Sequence, residues 1–182
     1  MNIRVAALLF IAVVLSTVSH ASDQITVEPD KDTYHFVSQY SIEVAAPNEV
    51  VWKHLTNLGS WMYEFEMSHY SGKVGQVGEV FRLYPQQDFL VQITSLVPDK
   101  TLVIANLPST IGGERSTGVG VITLNKIRGK TIVNLIMSRR YTWLGQGSNP
   151  LKATRESMAF QKNTRATWNK FLEKLRSLSE SD

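Results

Sequence analysis

Five strand-length runs followed by one long amphipathic helix leave this chain few ways to bury its apolar surface. The runs are Glu79–Tyr84, Phe89–Leu96, Leu102–Leu107, Val119–Ile127 and Thr131–Tyr141, with no helical pattern between them. Their separators are rich in turn formers: Pro85-Gln86-Gln87-Asp88, Pro98-Asp99-Lys100, Pro108 to Gly118 and Arg128-Gly129-Lys130. Short connections of this kind join antiparallel neighbours, since a parallel crossover needs roughly a dozen residues and usually a helix. The helical pattern then runs from about Leu151 to Ser179. Met158, Gln161, Arg165, Trp168, Phe171, Leu172, Leu175 and Leu178 share one face, opposite Lys162, Lys170, Glu173, Lys174 and Arg176. That face has only the sheet to cover, so the expected class is α+β with segregated elements.

An earlier unit, Tyr40 to Trp61, shows how the sheet begins. Tyr40, Ile42 and Val44 alternate with Ser41 and Glu43, the period-2 pattern of a half-buried strand. Ala45-Ala46-Pro47 breaks it. Proline suits a helix start, Glu49 complements the helix dipole, and Val51, Trp52, Leu55 and Leu58 recur at helical spacing before Gly59. The aromatic stretch Ser60–Met67 fits a second short helix or an irregular turn.

Strand, Ala-Pro, Val-Trp, Leu-Thr and a further Trp together resemble the opening of the START-like helix-grip proteins. That group is also called the polyketide cyclase/dehydrase and lipid-transport (SRPBCC) superfamily. The resemblance extends over roughly Tyr34 to Leu178. It implies a curved antiparallel sheet of six to seven strands wrapped around a long C-terminal helix, with two short helices after the first strand. It also implies a deep apolar cavity between sheet and helix. Members include lipid carriers, hormone receptors, aromatase/cyclases and co-chaperone domains, so fold membership does not choose a function.

Residues 1–21 read as a secretory signal peptide. Arg4 precedes the unbroken apolar run Val5–Leu15, and Ser19-His20-Ala21 puts small residues at −3 and −1, so cleavage is expected after Ala21. The apolar run falls short of the ~20 residues that a membrane anchor needs. The mature protein is therefore expected to be periplasmic or secreted, with a polar, flexible lead-in over 22–33 and a single domain over 34–182. The chain has no cysteine, so an exported domain of this kind must rest on its core alone. Its 19 Lys and Arg stand against 16 Asp and Glu, and the bases gather only in the last helix, beside acids. Nothing there forms the basic stripe that nucleic-acid binding requires.

Parity within the strands nominates the residues that face a cavity. Phe81 and Leu83 oppose Arg82; Phe89, Val91 and Ile93 oppose Leu90, Gln92 and Thr94. In the last strand Leu135, Met137, Arg139 and Tyr141 share one side, opposite Ile136, Ser138 and Arg140. Trp61, Tyr63 and Phe65 would line the entrance, as the resemblance implies, and Met158 would face inward from the helix. Arg139 is the chemically telling member. A buried guanidinium needs a carboxylate, supplied by a ligand or by the protein, with Glu64 and Glu66 as candidates; otherwise it reaches solvent at the sheet's end.

Other motifs carry less. Gly72, Gly75 and Gly78 lack the phosphate-cradling spacing and read as a turn before a strand. His35, His54 and His69 are not spaced as metal ligands, so no metal or cofactor is expected. His69 with Glu64 or Glu66 would be an acid–base set. The expected function is non-catalytic binding of a small hydrophobic or amphiphilic ligand (lipid-, isoprenoid- or aromatic-like), compatible with transient membrane contact. The alternatives are a cyclase/dehydratase-type enzyme using Arg139 and Tyr141 in the same cavity, and an interaction module of the cell envelope whose interior is filled.

Overall fold

Tyr34, Phe36, Tyr40, Ile42 and Val44 are all buried on one side of a single strand, which therefore begins well before Tyr40. In the computed structural model, which describes residues 22–28, 33–84 and 89–182, this is strand β2 (Thr33–Val44). It follows β1 (Ser22–Glu28) and precedes β3 (Ser68–Ser71), β4 (Val80–Leu83) and β5 (Phe89–Val97). The last three strands are β6 (Thr101–Ile111), β7 (Glu114–Ile127) and β8 (Lys130–Trp143). All pairings are antiparallel, in the order β1-β2-β8-β7-β6-β5-β4-β3. Strands β2–β8 make the curved sheet of a helix-grip fold. The eighth, β1, occupies residues expected to be a lead-in; Ser22–Glu28 pairs along the edge of β2 from Gln39 to Thr33. The leader expected over 1–21 and the turn expected at 85–88 lie outside the described residues.

Two short helices follow β2, as expected: α1 (Asn48–Leu55) and α2 (Leu58–Trp61), then a 3₁₀ turn at Tyr63–Phe65. Pro47 stands just before the first helical residue, and Gly59 lies inside α2 instead of ending α1. The segment Pro108 to Gly118 is not a loop. β6 continues through Pro108 to Ile111, the chain turns at Gly112-Gly113, and β7 starts at Glu114. A register irregularity between Asn106 and Ser109 spans the proline, which has no N–H to give the ladder.

The expected long helix is broken once. Ser157 is extended and separates α3 (Lys152–Glu156) from α4 (Met158–Glu180), and its hydroxyl caps α4 by accepting from the Phe160 amide at 3.1 Å. Trp168, Phe171, Leu172 and Leu175 of α4 enter a core with Tyr40, Val51, Leu55, Ile93, Leu102, Ile122 and Leu135. The end of the helix is tied to the bend before α1 and to the last turn of α1. Glu180 Oε1 accepts from the Ala45 amide at 2.7 Å, and Asp182 meets Lys53 at 2.5 Å and His54 at 3.1 Å. Those two hydrogen bonds hold the Asp182 carboxyl below its usual range.

Candidate functional site

Side-chain size along two elements decides where the interior is solid and where it is hollow. On the helix, Trp168, Phe171, Leu172 and Leu175 fill the space above the sheet, whereas the preceding turns offer Phe160 and then the smaller or polar Gln161, Thr164 and Thr167. On β7 the inward positions read Glu114, Ser116, Gly118 and Gly120 before they become Ile122 and Leu124. Small groups therefore face small groups at the Tyr141 end of β8, and three adjoining hollows open there.

The largest hollow is about 310 Å³ and is walled by Phe65, Leu83, Tyr84, Phe89, Glu114, Ser116, Arg139, Tyr141 and Arg155. A neighbour of about 190 Å³ shares Phe65 and Arg139 and is otherwise bounded by Phe160, Asn163, Thr164, Thr167 and Trp168. A third of about 20 Å³, room for about one water, lies among Phe36, Ser38, Met137, Phe160, Gln161 and Thr164. Arg139 belongs to the walls of all three. A broader depression of about 520 Å³ lies at the other end of the sheet, among Asn48, Glu49, Asp99, Lys100 and Lys126. Its charged, largely exposed rim makes it a surface feature and not a container.

Two arginines in this wall have opposite circumstances. Arg155, from α3, gives two hydrogen bonds to Glu114 Oε2, each 3.1 Å long, and lies over the Tyr141 ring at 4.5 Å. Glu114 is only 2% exposed, and its other oxygen accepts from Asn149 Nδ2 at 3.1 Å. This carboxylate is fully engaged. Arg139 has the Trp168 ring 5.8 Å from its guanidinium carbon, and among the described residues no carboxylate pairs with it. Its Nε is buried and meets no acceptor. Glu64, one suggested partner, pairs with Lys170 at 3.3 Å, and Glu66 is exposed.

The stem of Arg139 is seated by glycine. Asn106, Gly118 and Arg139 are cross-strand neighbours on β6, β7 and β8. A Cβ at Gly118 would stand 3.1 Å from Arg139 Cγ and 3.3 Å from Asn106 Nδ2. Asn106 Nδ2 is itself buried without a partner, and so is Ser109 Oγ, opposite Ser116 on the next rung. At the rim, burial raises the Tyr84 phenol above its ordinary value while Arg139 pulls it down, so Tyr84 is a neutral donor near pH 7.

The nominated residues divide three ways. Phe65, Leu83, Phe89, Met137, Arg139 and Tyr141 do line the hollows. Phe81, Val91, Ile93 and Leu135 have the right parity but are sealed in the core at the packed end, and so is Trp61, expected at the entrance, whose Nε1 donates to Leu55 O at 3.1 Å. Tyr63 and Met158 are exposed, Met158 at 86%; in the first turn of α4 it is Phe160, not Met158, that turns to the sheet and packs on Phe36. His69 pairs with Glu79 at 3.1 Å, not with Glu64 or Glu66; Glu79 also accepts from the Gly75 amide and so orders the glycine loop. Phe36, Glu114, Ser116 and Arg155 were not anticipated. The alternation Tyr34-x-Phe36-x-Ser38-x-Tyr40 was the available signal for Phe36.

No protein-family model and no curated protein matches this sequence. Solved structures do share its fold. The crystal structure of Ara h 8.0201 superposes with a TM-score of 0.56 at 11% identity, covering 81% of this chain and 99% of its own. An uncharacterized protein from Rhizobium leguminosarum gives 0.56 at 13% identity, covering 91% of this chain and 100% of its own. A protein from Nitrosospira multiformis gives 0.54 at 21% identity, with coverages of 78% and 94%. At such identities the likeness is one of fold, and it is the helix-grip arrangement described above.

Proposed function

We propose that the protein is an exported binder of a small hydrophobic or amphiphilic molecule, held between the sheet and the N-terminal half of α4. The observation that supports this is the hollow of about 310 Å³ beside Arg139. Ligand pockets span ~300–1,000 Å³ and join apolar walls to a few placed polar groups. Here Phe65, Leu83 and Phe89 supply the apolar wall, while Arg139, Ser116 and Tyr141 supply the polar one. Burying roughly 200 Å² of ligand apolar surface at roughly 25 cal/mol per Å² gives about 5 kcal/mol before association costs. That suits a carrier that must release its cargo. The leader read in residues 1–21 supports placing this activity outside the cytoplasm, with loading at a membrane as the natural source of an apolar ligand.

Organic extraction of the purified mature protein, followed by mass spectrometry, tests the proposal. One amphiphilic species recovered in near-stoichiometric amount is the expected result. Reproducibly empty protein that also fails to bind N-phenyl-1-naphthylamine would overturn it.

A further inference from the structure

Resting on the binding function proposed above, we infer that the ligand carries an anionic head, a carboxylate or a group of like charge and shape, which pairs with Arg139. Three observations meet in this one wall. The first is the guanidinium itself, which lines all three adjoining hollows and pairs with no carboxylate among the described residues. Arg139 is part-buried with its Nε withdrawn from water; such a cation gains from a counter-charge, and among the described residues the protein supplies none.

The second is the contrast with Arg155, which faces the same hollow and is matched by a dedicated, buried Glu114. The fold can compensate a cation in this wall and does so for one of two. With Glu114 already holding Asn149 and Arg155, the hollow keeps one positive charge in excess.

The third is the polar character of the wall at Arg139 and of the layer behind it. Its Nε, the neighbouring Asn106 Nδ2 and the Ser109 hydroxyl are all buried with no partner. Gly118 leaves the arginine stem the space to lie flat between them. In the wall itself, Tyr84, Ser116 and Tyr141 add hydroxyls that can donate to ligand oxygens beside the guanidinium. Guanidinium adds geometry to charge, because its planar fork matches two carboxylate oxygens. The apolar body of the ligand then lies toward Phe65, Leu83 and Phe89.

The test compares decanoate with decanol, equal in chain length and differing in the head, as competitors of the neutral dye N-phenyl-1-naphthylamine at pH 8. Wild type is expected to prefer decanoate by about ten- to hundredfold, the worth of one charge-assisted pair. Arg139→Met is expected to bring the two competitors to parity while decanol binding holds, and Arg139→Lys to retain part of the preference. Equal binding of both by wild type, or a preference that survives Arg139→Met, would overturn the inference and leave the binding function standing. Failure of the dye and both competitors to bind would remove the two together. A thermal melt of each variant confirms that folded protein is compared, and the wild-type ratio alone decides the matter if Arg139→Met does not fold.

Discussion

Trp168→Ala is expected to lower the free energy of unfolding by about 3–5 kcal/mol, the usual result of truncating a buried aromatic to a methyl. Trp168 is 2% exposed and sits where the solid core gives way to the hollows. Its ring meets Tyr40 at 6.4 Å, Phe65 at 6.1 Å and Phe171 at 5.5 Å, so truncation removes close-packed contacts with three aromatic rings. It also lies against the Arg139 guanidinium and bounds the hollows of about 190 Å³ and 20 Å³. Urea titration should show a lower midpoint at an unchanged slope. Met158→Ala, on the same helix but 86% exposed, should stay within about 0.5 kcal/mol of wild type. A Trp168→Ala midpoint equal to that of Met158→Ala would mean that α4 does not grip the sheet through this residue.

Glu114→Ala comes next in size, about 2–4 kcal/mol of stability lost. The glutamate is 2% exposed and accepts three hydrogen bonds, one from Asn149 and two from Arg155. Its removal leaves a buried amide unpaired and a guanidinium without its counter-charge. The lower half of that range is favoured because the Arg155 side chain is 24% exposed and water can partly replace its partner. Adding Arg155→Ala should recover a good part of the loss, since the stranded cation then goes too. Arg139→Met should cost far less than Glu114→Ala, because it deletes a part-buried charge instead of stranding one. A double variant no better than Glu114→Ala alone would show that the Glu114–Arg155 pair is not coupled in the folded state.

The strands and the helix could be read from the sequence because period-2 and period-3.6 apolar patterns are local consequences of which face is buried. The same patterns do not say how far apart two buried faces stand. Val91, Ile93 and Leu135 share parity with Phe89, Met137 and Arg139, yet the first set is sealed in the core and the second faces open space. What separates them is the size of the residues opposite, Thr164 and Thr167 against Leu172 and Leu175, and that depends on tertiary register. The polar wall was hidden for another reason. Pro108, Gly112, Gly113 and Gly118 carry strong turn chemistry, so Ser109, Glu114 and Ser116 read as loop residues. A bulge between Asn106 and Ser109 lets the strands run through instead. Arg139 was found by parity, and its want of a partner by the structure alone.

Titration of N-phenyl-1-naphthylamine into wild type and Ser116→Phe, the latter placing a ring inside the largest hollow, tests most directly whether this space receives a ligand. Saturable binding of about one dye per chain, lost in a Ser116→Phe protein that still melts cooperatively, is the expected result. Undiminished binding by Ser116→Phe, or none by wild type, would contradict it.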